Sequence, residues 1–101
     1  MKPFVDIRGA SGAVHRFRML DAFGAAAASG GNFAFLDGDA VVCCGTAKSL
    51  LNARQAWRGA ESDGQRPALY VRLNVSRARR IAEHEDIVQA VKPAHVLTEL
   101  E

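Results

Sequence analysis

Two apolar runs joined by an Asp-Gly pair constrain this chain more than any other feature. Asn32-Phe-Ala-Phe-Leu36 and Ala40-Val-Val-Cys-Cys44 flank Asp37-Gly38. An Asp-Gly pair accepts the positive φ that a tight hairpin turn demands, so the spacing predicts a β-hairpin. A second alternating pair precedes it: Phe4-Val-Asp-Ile-Arg8 and Ala13 to Leu20 lie on either side of Gly9-Ala-Ser-Gly12. These read as a first hairpin.

Downstream the period changes. Thr46 offers an N-cap oxygen for a helix reaching to about Glu61, with Ala47, Leu50, Leu51, Ala53, Trp57 and Ala60 at helical spacing. Trp57 reads as a core anchor of that helix. Ser62 to Pro67 is a loop, and Ala68 to Asn74 is a strand with Leu69, Val71 and Leu73 on one face. Ser76 caps a second helix from Arg77 to about Val91, which Pro93 ends. The expected fold is mixed α/β (α+β): two hairpins and a further strand in one sheet covered by two helices, in the order ββ-ββ-α-β-α.

A chain of 101 residues accommodates one domain. With 49% of residues apolar and 24% charged, it is neither a disordered tail nor a disulfide-dense miniprotein. The longest uncharged stretch, Ala22 to Leu36, contains Gly24, Gly30 and Gly31 and is too short to span a bilayer. Asp6 and Arg8 interrupt the place where a signal peptide needs its apolar run, which implies a cytoplasmic protein without membrane partners. Cys43 and Cys44 are adjacent inside an apolar strand, where thiols behave as small hydrophobes.

A net charge of +2 does not by itself announce a nucleic-acid binder. Its distribution is more informative. Arg66, Arg72, Arg77, Arg79 and Arg80 fall in a stretch without an acid, whereas Ile81 to Glu101 carries five acids against Lys92. The excess of arginine over lysine, beside many alanines, also fits a GC-rich, bacterial genome. Arg77, Arg79 and Arg80 stand in the first turn of the second predicted helix, where the dipole favours negative charge. They either hold a phosphate there or form a solvated face balanced by Glu83 and Asp86.

From Gly31 onward the chain resembles the GIY-YIG endonuclease domain. Gly31-Asn32-Phe33 stands where the GIY tripeptide would be, Cys43-Cys44-Gly45 where YIG would be, and Thr46-Ala-Lys-Ser-Leu50 is similar to the family's entry into its first helix. The resemblance divides the chain into an N-terminal hairpin and small-residue loop (1–30) and a GIY-YIG-like core (31–101). It implies a divalent-metal site built from two tyrosines, an arginine on the first helix and a glutamate on the second. The corresponding or nearest positions here are Phe33, Cys43, Arg54 and Glu85, with Glu83, His84 and Glu85 as candidate metal ligands. Phe33 lacks the hydroxyl and Cys43 offers a thiol in place of a phenol. Arg54 stands one place past the usual arginine, with Arg58 its nearest companion. Glu85, between Ile81 and Val88, reads as a partly buried carboxylate that needs Arg72 or Arg54 as partner. His15 and His95 belong to no constellation.

The resemblance therefore implies a non-catalytic member that needs no cofactor and binds nucleic acid through phosphate contacts. Lys48, Arg54, Arg58, Arg72, Arg77, Arg79 and Arg80 are the expected contact residues. Two alternatives stay open. One is an active endonuclease using Mg²⁺ or Mn²⁺ at a variant site; the other is a protein-interaction module, such as a homodimer joined at the edge of the first hairpin.

Overall fold

The computed structural model describes residues 2–20, 28–56 and 67–100. Six strands form one sheet: β1 (Phe4–Arg8), β2 (Val14–Met19), β3 (Gly31–Asp37), β4 (Ala40–Ala47), β5 (Ala68–Leu73) and β6 (His95–Leu100). Their spatial order is β1-β2-β5-β3-β4-β6. All neighbours are antiparallel except β4 and β6, which run parallel. One helix, α1 (Arg77–Val91), covers one face.

Both predicted hairpins form. Gly38 turns the second with φ 62°, and Gly12 turns the first with φ 91°, conformations that L side chains adopt only with strain. β3 takes the centre because Phe33 to Leu36 are buried on both faces, pairing with β4 on one side and β5 on the other. The first hairpin joins the same sheet through β2 and β5, where Arg18 lies opposite Val71. α1 starts at the predicted residue, with the Ser76 hydroxyl accepting from the Arg79 amide, and ends at Lys92 in the left-handed region (φ 46°).

The sheet divides the core in two. On the α1 face, Ile7, Phe17, Ala34, Leu36, Cys44, Tyr70 and Ile87 pack together. On the opposite face, Leu20, Phe33, Phe35, Cys43, Ala47, Leu50, Ala53, Leu69 and Val71 form the second cluster. Cys43 and Cys44 are buried and free; desolvation pushes their thiols up to about 11 and about 12.

Two features differ from expectation. The helix predicted from Thr46 is absent over its described part. β4 continues through Thr46 to Ala47, and only a 3₁₀ turn follows at Leu50–Asn52. Thr46 does not cap; fully buried, it uses its hydroxyl to accept the Glu99 amide at 2.7 Å. Pairing with β3 on one side and β6 on the other outweighs the local helix signal. The predicted helix beyond Ala56, including Trp57, Arg58 and Glu61, lies outside the described residues, as do Asp21 to Ala27. The second difference is β6, a strand where none was expected. It adds to β4 along Cys43 to Ala47, with an irregularity between Gly45 and Ala47 and Glu99 at φ 58°.

Candidate nucleic-acid interface

α1 presents more polar than apolar chemistry to the sheet. Its inward row is Arg80, His84 and Ile87, all buried. The chain of polar contacts begins at the sheet centre: Asn32 donates to the Arg80 carbonyl at 2.8 Å, and its Oδ1 accepts from Asn74 at 3.0 Å. Asn74 also donates to Glu83 Oε2 at 2.7 Å, and Arg72 Nε donates to Glu83 Oε1 at 2.8 Å. His15, on β2, places Nδ1 3.0 Å from Glu83 and Nε2 3.1 Å from Asp86. Both contacts are hydrogen bonds at once only when the ring carries two protons. Asp86 accepts in turn from the Ser11 amide (2.8 Å) and hydroxyl (2.9 Å).

This network ties the first hairpin to α1, and it leaves no described buried side-chain polar atom unpaired. Burial works against the Glu83 charge, but hydrogen bonds from Asn74 and Arg72, with the charges of Arg72 and His15, hold its carboxyl below the usual range. Asp86 is lowered by His15 and then by the Ser11 amide. Satisfaction this complete among the described buried side-chain atoms suits a structural clamp.

A second cluster lies at the N-terminal end of α1, around Glu99. Arg80 holds the Glu99 carboxylate in a fork, Nε to Oε1 at 2.7 Å and Nη2 to Oε2 at 3.1 Å. Arg77 Nε stands 3.6 Å from Oε2. The hydrogen bonds from Arg80, with the charges of Arg80, Arg77 and Lys48, lower the Glu99 carboxyl despite its burial. Two residues expected from the sequence to touch phosphate, Arg80 and Arg77, thus converge on one carboxylate. Beside them, Arg77 and Arg79 project into solvent with side-chain exposures of 71% and 77%.

The other expected site residues are dispersed. Phe33 and Cys43 are wholly buried in the cluster opposite α1, with Ala53 beneath the exposed Arg54. Arg54 lies 3.5 Å from the Leu20 carbonyl. Glu85 stands on α1, across the sheet from them, and is exposed rather than partly buried. The helix is turned so that Glu83 is the half-buried carboxylate, and its partner is Arg72. His84 is buried and meets the Thr98 hydroxyl at 3.1 Å. The three consecutive candidate ligands therefore point to a salt-bridge network, a strand and solvent. Among the described residues no group of three His, Cys, Asp or Glu side chains is arranged to hold a metal ion.

Arg72 is committed to Glu83 and to the Arg16 carbonyl (3.3 Å). Arg58 lies outside the described residues. His15 and Asp86 carry no local signal as a pair, because a strand and a helix far apart in the chain bring them together. Asn32 and Asn74 carried one weak signal, each a polar residue inside an otherwise apolar strand.

The fold and site define a mixed α+β protein: among the described residues, a six-stranded sheet with one α-helix, whose N-terminal end is cationic. No family model, curated protein or solved structure matches the chain. No helix among the described residues is long and apolar enough to cross a membrane.

Proposed function

We propose that this protein binds the phosphate backbone of nucleic acid without cleaving it, through the cationic end of α1. The observation that carries the reading is the first turn of α1. It contains no acid, and Arg77 and Arg79 project from it into solvent. Cations at the positive end of a helix are locally unfavourable, and a bound phosphate removes the conflict by accepting from both the guanidinium forks and the helix end.

Kinship with the GIY-YIG domains belongs to this proposal at the level of element order, hairpin β3–β4, strand β5 and helix α1. The separation of Phe33 and Cys43 from Glu85 by the sheet supports a non-catalytic role. A GIY-YIG-type site would need these groups around one metal ion.

The test is anisotropy of labelled duplex and single-stranded DNA at low and physiological salt, comparing the wild type with Arg77→Ala/Arg79→Ala. Salt-sensitive binding that weakens by about tenfold or more in the double variant is expected. Unchanged affinity in the variant would remove α1 from the interface, and absence of binding at low salt would end the reading. Cutting of either DNA form with Mg²⁺ or Mn²⁺ would instead favour the nuclease alternative.

A further inference from the structure

The Arg80 guanidinium is held on one edge by the body of the protein and on the other by a terminal strand. Its Nη1 donates to the Val75 carbonyl at 2.8 Å, and Asn32 fixes its backbone carbonyl. The approach of this side chain to Gly30 is close enough that a Cβ there would collide with Nη1. Those contacts keep the fork aimed whatever occupies its other edge. Among the described residues that other edge, Nε and Nη2, meets Glu99, with Arg77 on the same carboxylate. A carboxylate presents the same pair of oxygens to a guanidinium fork as a phosphate does.

The strand that delivers Glu99 lies at an edge of the sheet. β6 pairs with β4 alone, in an irregular register, and contains no fully buried residue. Its amide links to the body include Glu99 N–H to the Thr46 hydroxyl, while the Lys48 amide donates to the Leu100 carbonyl at 2.8 Å. Edge elements with few buried side chains open locally before the rest of a fold does.

We propose that β6 is an autoinhibitory strap: its Glu99 carboxylate occupies a phosphate cradle formed by Arg80 and Arg77, and nucleic acid binds there by displacing it. The inference rests on the phosphate-binding reading and adds regulation to it. The exposed arginines give the closed protein its initial hold, and release of β6 adds the buried fork of Arg80.

The experiment compares a labelled DNA duplex binding to the wild type, to Glu99→Gln and to Asp39→Asn. The last removes one exposed negative charge on the β3–β4 turn and controls for net charge alone. Circular dichroism confirms that each variant is folded. Glu99→Gln is expected to bind about tenfold more tightly than wild type, and Asp39→Asn to stay within about twofold. A second measurement needs no variant. Hydrogen exchange on the wild type with saturating duplex should show the Glu99 and Lys48 amides losing protection.

Equal gains in the two variants, or unchanged protection of both amides in bound wild type, would overturn the strap and leave phosphate binding standing. Absence of binding by wild type and Glu99→Gln alike at low salt would overturn both.

Discussion

At the scale of single residues, the charged groups under α1 make stability depend on pH in two separate ranges. Burial keeps the His84 ring neutral and lowers its pKa below the ordinary 6.5, although the Glu85 charge pulls the other way. The unfolded chain then takes up a proton that the folded chain refuses. Stability from this source is complete above about 6.5 and declines as pH falls through that value. Glu83, Asp86 and Glu99 have the opposite chemistry and the same direction. Their carboxyls are lowered in the folded protein, so their contribution is present above the ordinary carboxylate range and is lost as pH falls through the folded values. Thermal melts by circular dichroism from pH 8 to pH 3 should show a shallow decline beginning near 6.5 and a steeper one below about 4.5. His84→Gln should remove the first and leave the second. A first decline that persists in the variant would assign it to another group.

At the scale of elements, two contacts decide how the layers hold. The first hairpin is joined to α1 by His15 and Ser11, and His15→Ala would remove the ring that stands within hydrogen-bond distance of both Glu83 and Asp86. A loss of about 1–2 kcal/mol in urea denaturation at pH 7 is expected from removing the buried ring and its hydrogen bond. A loss under about 0.5 kcal/mol would mean that the hairpin is held by Ile7 and Phe17 alone. β6 depends on Gly45 of β4. A Cβ at that position would collide with the Leu97 carbonyl and with the Phe33 ring. The carbonyl belongs to the backbone and cannot swing aside, so Gly45→Ala should cost about 1–3 kcal/mol. Hydrogen exchange should show the loss concentrated in β6; uniform loss across the sheet would place the damage at Phe33.

At the scale of the whole molecule, charge is segregated rather than abundant. A net charge of +2 leaves long-range attraction to nucleic acid weak, so binding must come from a few local contacts. Each phosphate contact contributes about one unit to the slope of log affinity against log salt. The Arg77→Ala/Arg79→Ala protein is therefore expected to show a slope smaller by about two than the wild type. An unchanged slope with reduced affinity would point to lost packing in place of lost phosphate contacts.

The alternation of Phe4 to Arg8, the apolar run of Phe33 to Leu36, the Asp-Gly turn and the Ser76 cap are local signals. They determined both hairpins, β5 and α1, because turn and cap geometry need only neighbouring residues. The cationic first turn of α1 was legible for the same reason. Thr46 was misleading: its hydroxyl suits a helix cap equally well, and pairing with Asn32 of β3 together with the docking of β6 made it a strand residue. No strand was expected at His95 to Leu100, because nothing local says that this segment pairs with β4. Which carboxylate α1 buries was also decided by tertiary structure. Its own apolar spacing points to Glu85, whereas Asn74, Arg72 and His15 on the sheet turn Glu83 inward. A sequence determines what each segment can become; contacts between segments far apart in the chain choose which polar groups meet, because a buried charge is stable only where its partners already stand.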